Sequence, residues 1–112
     1  MTDTIYCQAA RFVSMAKAGE IYFQLQKLIH EEQDDCDLSV FRFQITEGWH
    51  VAVIGEKPSD ILHVRIESLL SHGTLTNLVK SRPDVIAYMQ DRRTQASQIG
   101  PWVEAHYDEP NE

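Results

Sequence analysis

The sequence has few of the features that mark membrane or disulfide-rich proteins. Its 112 residues include only two cysteines, Cys7 and Cys36, which are too few for a disulfide framework and too far apart for a CxxC redox or zinc pair. The longest apolar run, around Val51 to Ile54, is far shorter than the roughly 20 residues of a membrane-spanning helix. The start lacks the basic and apolar parts of a secretory signal. These absences predict a cytoplasmic protein with reduced thiols.

Motifs that carry chemistry are lacking as well. The five histidines form no HxH, HxxxH or HExxH spacing, and the five glycines stand alone rather than in a phosphate-binding loop. No serine lies in a G-x-S-x-G turn. The acidic run 31–37 lacks the alternating layout of a calcium loop, and its carboxylates disfavour the reactive thiolate of Cys36. We therefore predict no catalytic residues, no metal site and no cofactor.

The composition nevertheless predicts a folded protein. Hydrophobic residues make up 43% and charged residues 24% of the sequence, as in ordinary globular domains. The length fits one domain, which we place at residues 1–100, followed by an aromatic and acidic tail at 101–112. The net charge of −7 opposes general attraction to nucleic acids, although the segment 61–93 holds five bases against three acids.

Hydrophobic periodicity predicts an α+β protein built around a hairpin. Residues 5–13 suit a strand, and helical spacing of apolar residues indicates a helix over 17–32. Strict alternation followed by a β-rich apolar run predicts a β-hairpin over residues 39–54, with its turn at Glu47-Gly48. A two-residue loop there would pair Phe41 with Ile54 and Ile45 with His50.

The segment 61–70 can be interpreted as a helix or as a strand, since Leu62, Val64 and Ile66 also alternate with polar residues. Pro58 and Ser59 favour a helix start, and Gly73 suits a left-handed helix end. A further helix begins at Pro83. The order of elements resembles the split βαβ arrangement of ferredoxin-like sandwiches. We expect that two-layer fold, with an antiparallel sheet, helices packed on one face, a C-terminal helix and an irregular tail.

The leading functional hypothesis is a non-enzymatic protein-interaction or regulatory module that acts as a homo-oligomer, most simply a dimer. The hairpin would carry apolar residues on both faces, and the helices of one small domain would cover only one of them. Tryptophan is also enriched where interfaces concentrate their binding energy. The candidate interface residues lie on the second face of the hairpin and in the tail: Trp49, Val51, Val53, Trp102 and Tyr107.

Two other classes of function remain open. One is a small enzyme or ligand-binding protein with a pocket between sheet and helices, lined by Tyr6, His50 and His63. The other is helix-mediated nucleic-acid binding through residues 59–93, whose outline suggests a helix-turn-helix. Its linker of about ten residues is longer than the turn of that motif. The side chains that would contact nucleic acid are basic: Lys80, Arg82, Arg92 and Arg93.

Overall fold

A computed structural model describes residues 5–32 and 37–96 of the chain. Strands and helices both occur there, which confirms the α+β class. No helix in these two ranges is long and apolar enough to cross a membrane. The elements are β1 (Tyr6–Phe12), α1 (Met15–Glu31), β2 (Leu38–Ile45), β3 (Gly48–Gly55), α2 (Asp60–Leu70), β4 (Thr74–Thr76), α3 (Leu78–Ser81) and α4 (Pro83–Ala96).

The four strands form one antiparallel sheet in the order β2-β3-β1-β4. Helix α1 connects β1 to β2, and β3 lies between those two strands. Helix α2 connects β3 to β4, and β1 lies between them. Each of these crossovers therefore spans one intervening strand, which leaves β3 and β1 at the centre of the sheet and β2 and β4 at its edges.

Helices cover both faces of the sheet, so the prediction of helices on one face is wrong. One buried cluster joins α1 and α2 to a sheet face that includes Val51 and Val53. A second cluster joins α3 and α4 to the opposite face, which includes Ala52 and Ile54. Strand β3 is apolar on both sides because both sides are buried, as its nearly continuous apolar sequence indicates.

The predicted hairpin is confirmed, but its pairing is displaced. Phe41 pairs with Ala52 and Phe43 with His50, rather than Phe41 with Ile54 and Ile45 with His50. The turn occupies residues 46–47, and Gly48 begins β3 with a φ of 120°, a left-handed value that favours glycine. Because the displacement is two residues, every side chain keeps its predicted face.

The start of α2 agrees with the prediction from the sequence, whereas the conformation of Gly73 after its end does not. The segment 61–70 is helical, and the Ser59 hydroxyl accepts a hydrogen bond from the Leu62 amide at 3.2 Å. Gly73 does not adopt the predicted left-handed conformation. Its backbone instead packs so closely on β1 that a Cβ would lie 2.4 Å from the carbonyl oxygen of Arg11. Close approach is therefore the reason for glycine at this position.

Candidate functional site

Two of the three predicted pocket residues meet on the face covered by α1 and α2. The Tyr6 hydroxyl of β1 lies 2.8 Å from Nδ1 of His63 in α2, and the two rings pack edge to face at 5.6 Å. Burial, followed by the charges of Glu67 and Cys7, raises the pKa of Tyr6 to about 12. The phenol therefore keeps its proton at neutral pH, and a hydrogen bond joins the Tyr6 hydroxyl to His63 Nδ1.

The third predicted pocket residue, His50, lies on the opposite face of the sheet. Its side chain is 1% exposed, stacks on Phe43 at 5.6 Å and donates from Nδ1 to the Gly48 carbonyl oxygen at 3.0 Å. Burial is the main influence that lowers its pKa. The prediction of one pocket lined by Tyr6, His50 and His63 is therefore wrong, because the sheet separates His50 from the other two.

Glu67 is the charged side chain close enough to raise the pKa of Tyr6. Cys7, the next residue of β1, packs with the cluster on the opposite face of the sheet, and burial raises its pKa to about 12, so its nucleophilic thiolate is scarce. In residues 5–32 and 37–96 no group of three or more metal-ligating side chains is close enough to hold an ion. We therefore interpret the Tyr6–His63 hydrogen bond as a structural contact between α2 and β1.

The interface candidates on the hairpin are covered by the protein's own helices. Val51 and Val53 are fully buried, and Trp49 is half-buried against the cluster under α1 and α2. Strand β3 therefore offers little surface to a partner. The two other candidates, Trp102 and Tyr107, lie outside the described residues.

The structure reveals an exposed apolar surface that the sequence analysis missed. Ile61 and Val64 of α2 are 77% and 61% exposed and lie one turn apart, opposite the buried Leu62 and Ile66. We call Ile61 and Val64 the α2 stripe. The sequence indicated this surface through the alternation of Leu62, Val64 and Ile66, which also suggested a strand. In a helix, apolar residues two apart fall on different sides.

The basic residues of segment 59–93 do not form one binding face. Arg82 is bound by Glu47 at 2.8 Å and Asp84 at 2.9 Å. Arg93 donates to Asp37 at 2.8 Å. Arg92 is half-buried, and Lys80 is the most exposed of the four predicted contacts.

The two longer helices of this segment, α2 and α4, pack on opposite faces of the sheet. Segment 59–93 therefore does not form the helix-turn-helix outlined from the sequence, which requires two consecutive helices joined by a short turn.

Comparisons of this chain with protein-family models, with curated proteins and with solved structures each gave no match.

Proposed function

We propose that this chain is a non-enzymatic interaction module that forms a homodimer through the α2 stripe. The observation that carries the proposal is the double-sided apolar character of α2. Its inward residues Leu62, Ile66 and Leu70 are buried, while Ile61 and Val64 on the outer face are mostly exposed. Charged residues such as Arg65 and Glu67 share the exposed side of α2, so Ile61 and Val64 form a small apolar patch in a polar surface. Contact with a partner would remove these two aliphatic side chains from water.

A second copy of the chain is the proposed partner of this small surface, since a two-fold axis places the stripe of each copy against the stripe of the other. Two aliphatic side chains per copy supply much less than the roughly 800 Å² per partner of a stable interface. Arg65 and Glu67 flank the stripe with opposite charges, and Arg65 also lies 3.6 Å from Glu32. The exposed Asp60 next to Ile61 adds a further negative charge, so electrostatic repulsion between two acidic copies weakens the contact. The dimer is weak and reversible.

We extend the proposal to the fold and the compartment. The strand order, with two crossovers that each span one intervening strand, supports a ferredoxin-like core. Helices α3 and α4 are an addition to that two-layer sandwich and cover its second face. The homodimer then uses a helix surface rather than an open sheet. The cytoplasm is the proposed compartment, on the sequence evidence alone.

Sedimentation velocity over a wide range of protein concentration tests the homodimer. We expect the sedimentation coefficient to rise with concentration, with dissociation in the micromolar to millimolar range. Val64→Asp should weaken association by about tenfold or more, since it places a charge in the contact.

Val79→Asp is the matched control, because it introduces the same charge at a 45% exposed valine of α3. It should leave association unchanged. A protein that stays monomeric at every concentration, or two variants that weaken association equally, would contradict the proposal.

A further inference from the structure

The outer edge of β2 has no strand partner within residues 5–32 and 37–96. Strand β2 is first in the order β2-β3-β1-β4, and in this part of the chain it pairs with β3 alone. An open strand edge offers a row of backbone donors and acceptors to another strand. We propose that this edge binds residues 102–107 of the same chain as an added strand.

Alternate residues of β2 direct their backbone groups toward the outer edge. In an antiparallel pair, every second residue exchanges hydrogen bonds with the partner strand, and the residues between them point away from it. The Glu56 amide donates to the Asp37 carbonyl oxygen at 3.0 Å, in the register that continues the β2–β3 pairing. Positions 39, 41, 43 and 45 therefore bond to β3. The amides of Val40 and Gln44 face outward, where an added strand would use them.

An exposed aromatic side chain lies next to this edge. Phe23 of α1 is 60% exposed, although α1 packs on the sheet. The Arg42 guanidinium of β2 lies 5.0 Å from the ring centre of Tyr22 and 5.8 Å from that of Phe23. Both rings are therefore on the β2 side of α1. A strand added beside β2 would cover Phe23 and remove its ring from water.

Helix α4 ends beside the start of β2. Arg93, in the last turn of α4, donates to the Asp37 carboxylate at 2.8 Å and to the Ser39 hydroxyl at 3.2 Å. The chain beyond Ala96 therefore begins next to the first residues of β2. Because it is joined to α4 there, its binding to this edge is intramolecular and occurs at a high effective concentration.

The length of the segment matches the edge. A strand advances about 3.3 Å per residue, so residues 102–107 would span about 20 Å. This distance covers most of the eight-residue β2. A segment that starts near Asp37 and continues along the edge runs in the same direction as β2.

The sequence of residues 102–107, WVEAHY, suits an added strand. It contains neither glycine nor proline, whereas Gly100 and Pro101 directly before it favour a bend between helix and sheet edge. Successive side chains of a strand point to opposite faces, so Trp102 and Tyr107 would fall on different faces. Either orientation then places one aromatic side chain on the side of Phe23.

Amide hydrogen exchange in the ¹⁵N-labelled full-length protein tests the proposal. We expect the Val40 and Gln44 amides to exchange about tenfold or more slowly than in Ala105→Pro, because proline cannot donate within a paired strand. Asn111→Pro, which introduces the same residue beyond the proposed strand, should leave both rates as in the unmodified protein. The Phe41 amide, which bonds to β3, should stay protected in all three proteins.

A second pair of variants tests the contact with α1. Phe23→Ala should raise the exchange rates of Val40 and Gln44 by about threefold or more, since it removes the ring that the added strand would cover. Ile61→Ala is the matched control, because it truncates an exposed aliphatic side chain of the α2 stripe. It should leave both rates unchanged, so the result does not depend on the proposed dimer.

Equal exchange rates at Val40 and Gln44 in the full-length protein and in Ala105→Pro would overturn the proposal. Equal effects of Phe23→Ala and Ile61→Ala would also contradict it. Protection that appears only as the protein concentration rises would mean that a second copy, and not the chain's own residues 102–107, occupies the edge of β2.

Discussion

The hydroxyl of Tyr6 and Nδ1 of His63, separated by 56 residues of sequence, lie 2.8 Å apart. Strand β4 pairs only with Ala9 to Arg11 of β1. Tyr6 lies before that pairing, so its hydrogen bond holds α2 against the part of β1 that β4 does not cover. On this edge the first half of β1 therefore contacts side chains of other elements and not β4. The position of α2, and with it the direction in which the α2 stripe faces, rests partly on this pair.

Removing the Tyr6–His63 hydrogen bond should destabilise the protein modestly. We expect Tyr6→Phe to lower the free energy of unfolding by about 0.5–1.5 kcal/mol, the net value of a typical hydrogen bond. Urea denaturation of Tyr6→Phe, His63→Ala and the double variant measures the coupling between the two side chains. Strictly additive losses would show that the two groups do not interact in solution.

Acidification should destabilise the fold through His50. Burial lowers the pKa of His50 in the folded protein, so the unfolded chain binds this proton more readily. The stability associated with neutral His50 is complete above the unfolded pKa of about 6.5 and is lost as the pH falls from there toward the folded pKa. Unfolding by urea at a series of pH values measures the slope.

Substitution separates His50 from the other histidines. His50→Asn keeps a donor for the Gly48 carbonyl and should flatten the slope below pH 6.5. His72→Asn changes an exposed histidine and should leave it intact. An unchanged slope in His50→Asn would mean that His50 is not the group responsible.

Neighbouring residues of β2 should differ sharply in their contribution to stability. Phe43 is 3% exposed within the cluster under α3 and α4, so Phe43→Ala should cost about 3–5 kcal/mol. Gln44 points to the other side and is exposed, so Gln44→Ala should be nearly silent. Comparable losses in the two urea curves would contradict the observed faces of the strand.

Two glycine substitutions should have opposite outcomes. At Gly55 the φ is 154° and an added Cβ would lie 2.1 Å from the Asp37 carbonyl oxygen. Gly55→Ala should therefore cost about 2 kcal/mol or more. Gly19 lies within α1, where alanine is favoured, and the nearest obstacle is the flexible end of Arg42 at 3.1 Å. Thermal unfolding should show a clear loss for Gly55→Ala and little change or a gain for Gly19→Ala.

Local patterns in the sequence predicted most of the elements. Alternation identified the hairpin, and Ser59 with Pro58 identified the start of α2, since a strand period and a capping hydroxyl act within a few residues. The exact pairing was missed because Gly48 serves as the first residue of β3 rather than as part of the turn. Moving the turn from residues 47–48 to 46–47 shifts the pairing by two residues and keeps every side chain on the same face of the sheet. The hydrophobic pattern alone therefore does not distinguish the two turn positions.

The arrangement of sites was much less predictable. The predicted register put His50 on the same sheet face as Phe43 but paired it with Ile45 instead. No local pattern states which sheet face a helix such as α2 covers, so the separation of His50 from His63 was not foreseen.

Direct detection of contacts between two copies tests the central claim about the α2 stripe. In a mixture of ¹³C-labelled and unlabelled protein, an isotope-filtered nuclear Overhauser experiment reports only contacts between copies. At high protein concentration we expect such contacts from the methyl groups of Ile61 and Val64, fading on dilution. Intermolecular contacts confined to other residues, or none while sedimentation shows a dimer, would contradict the account.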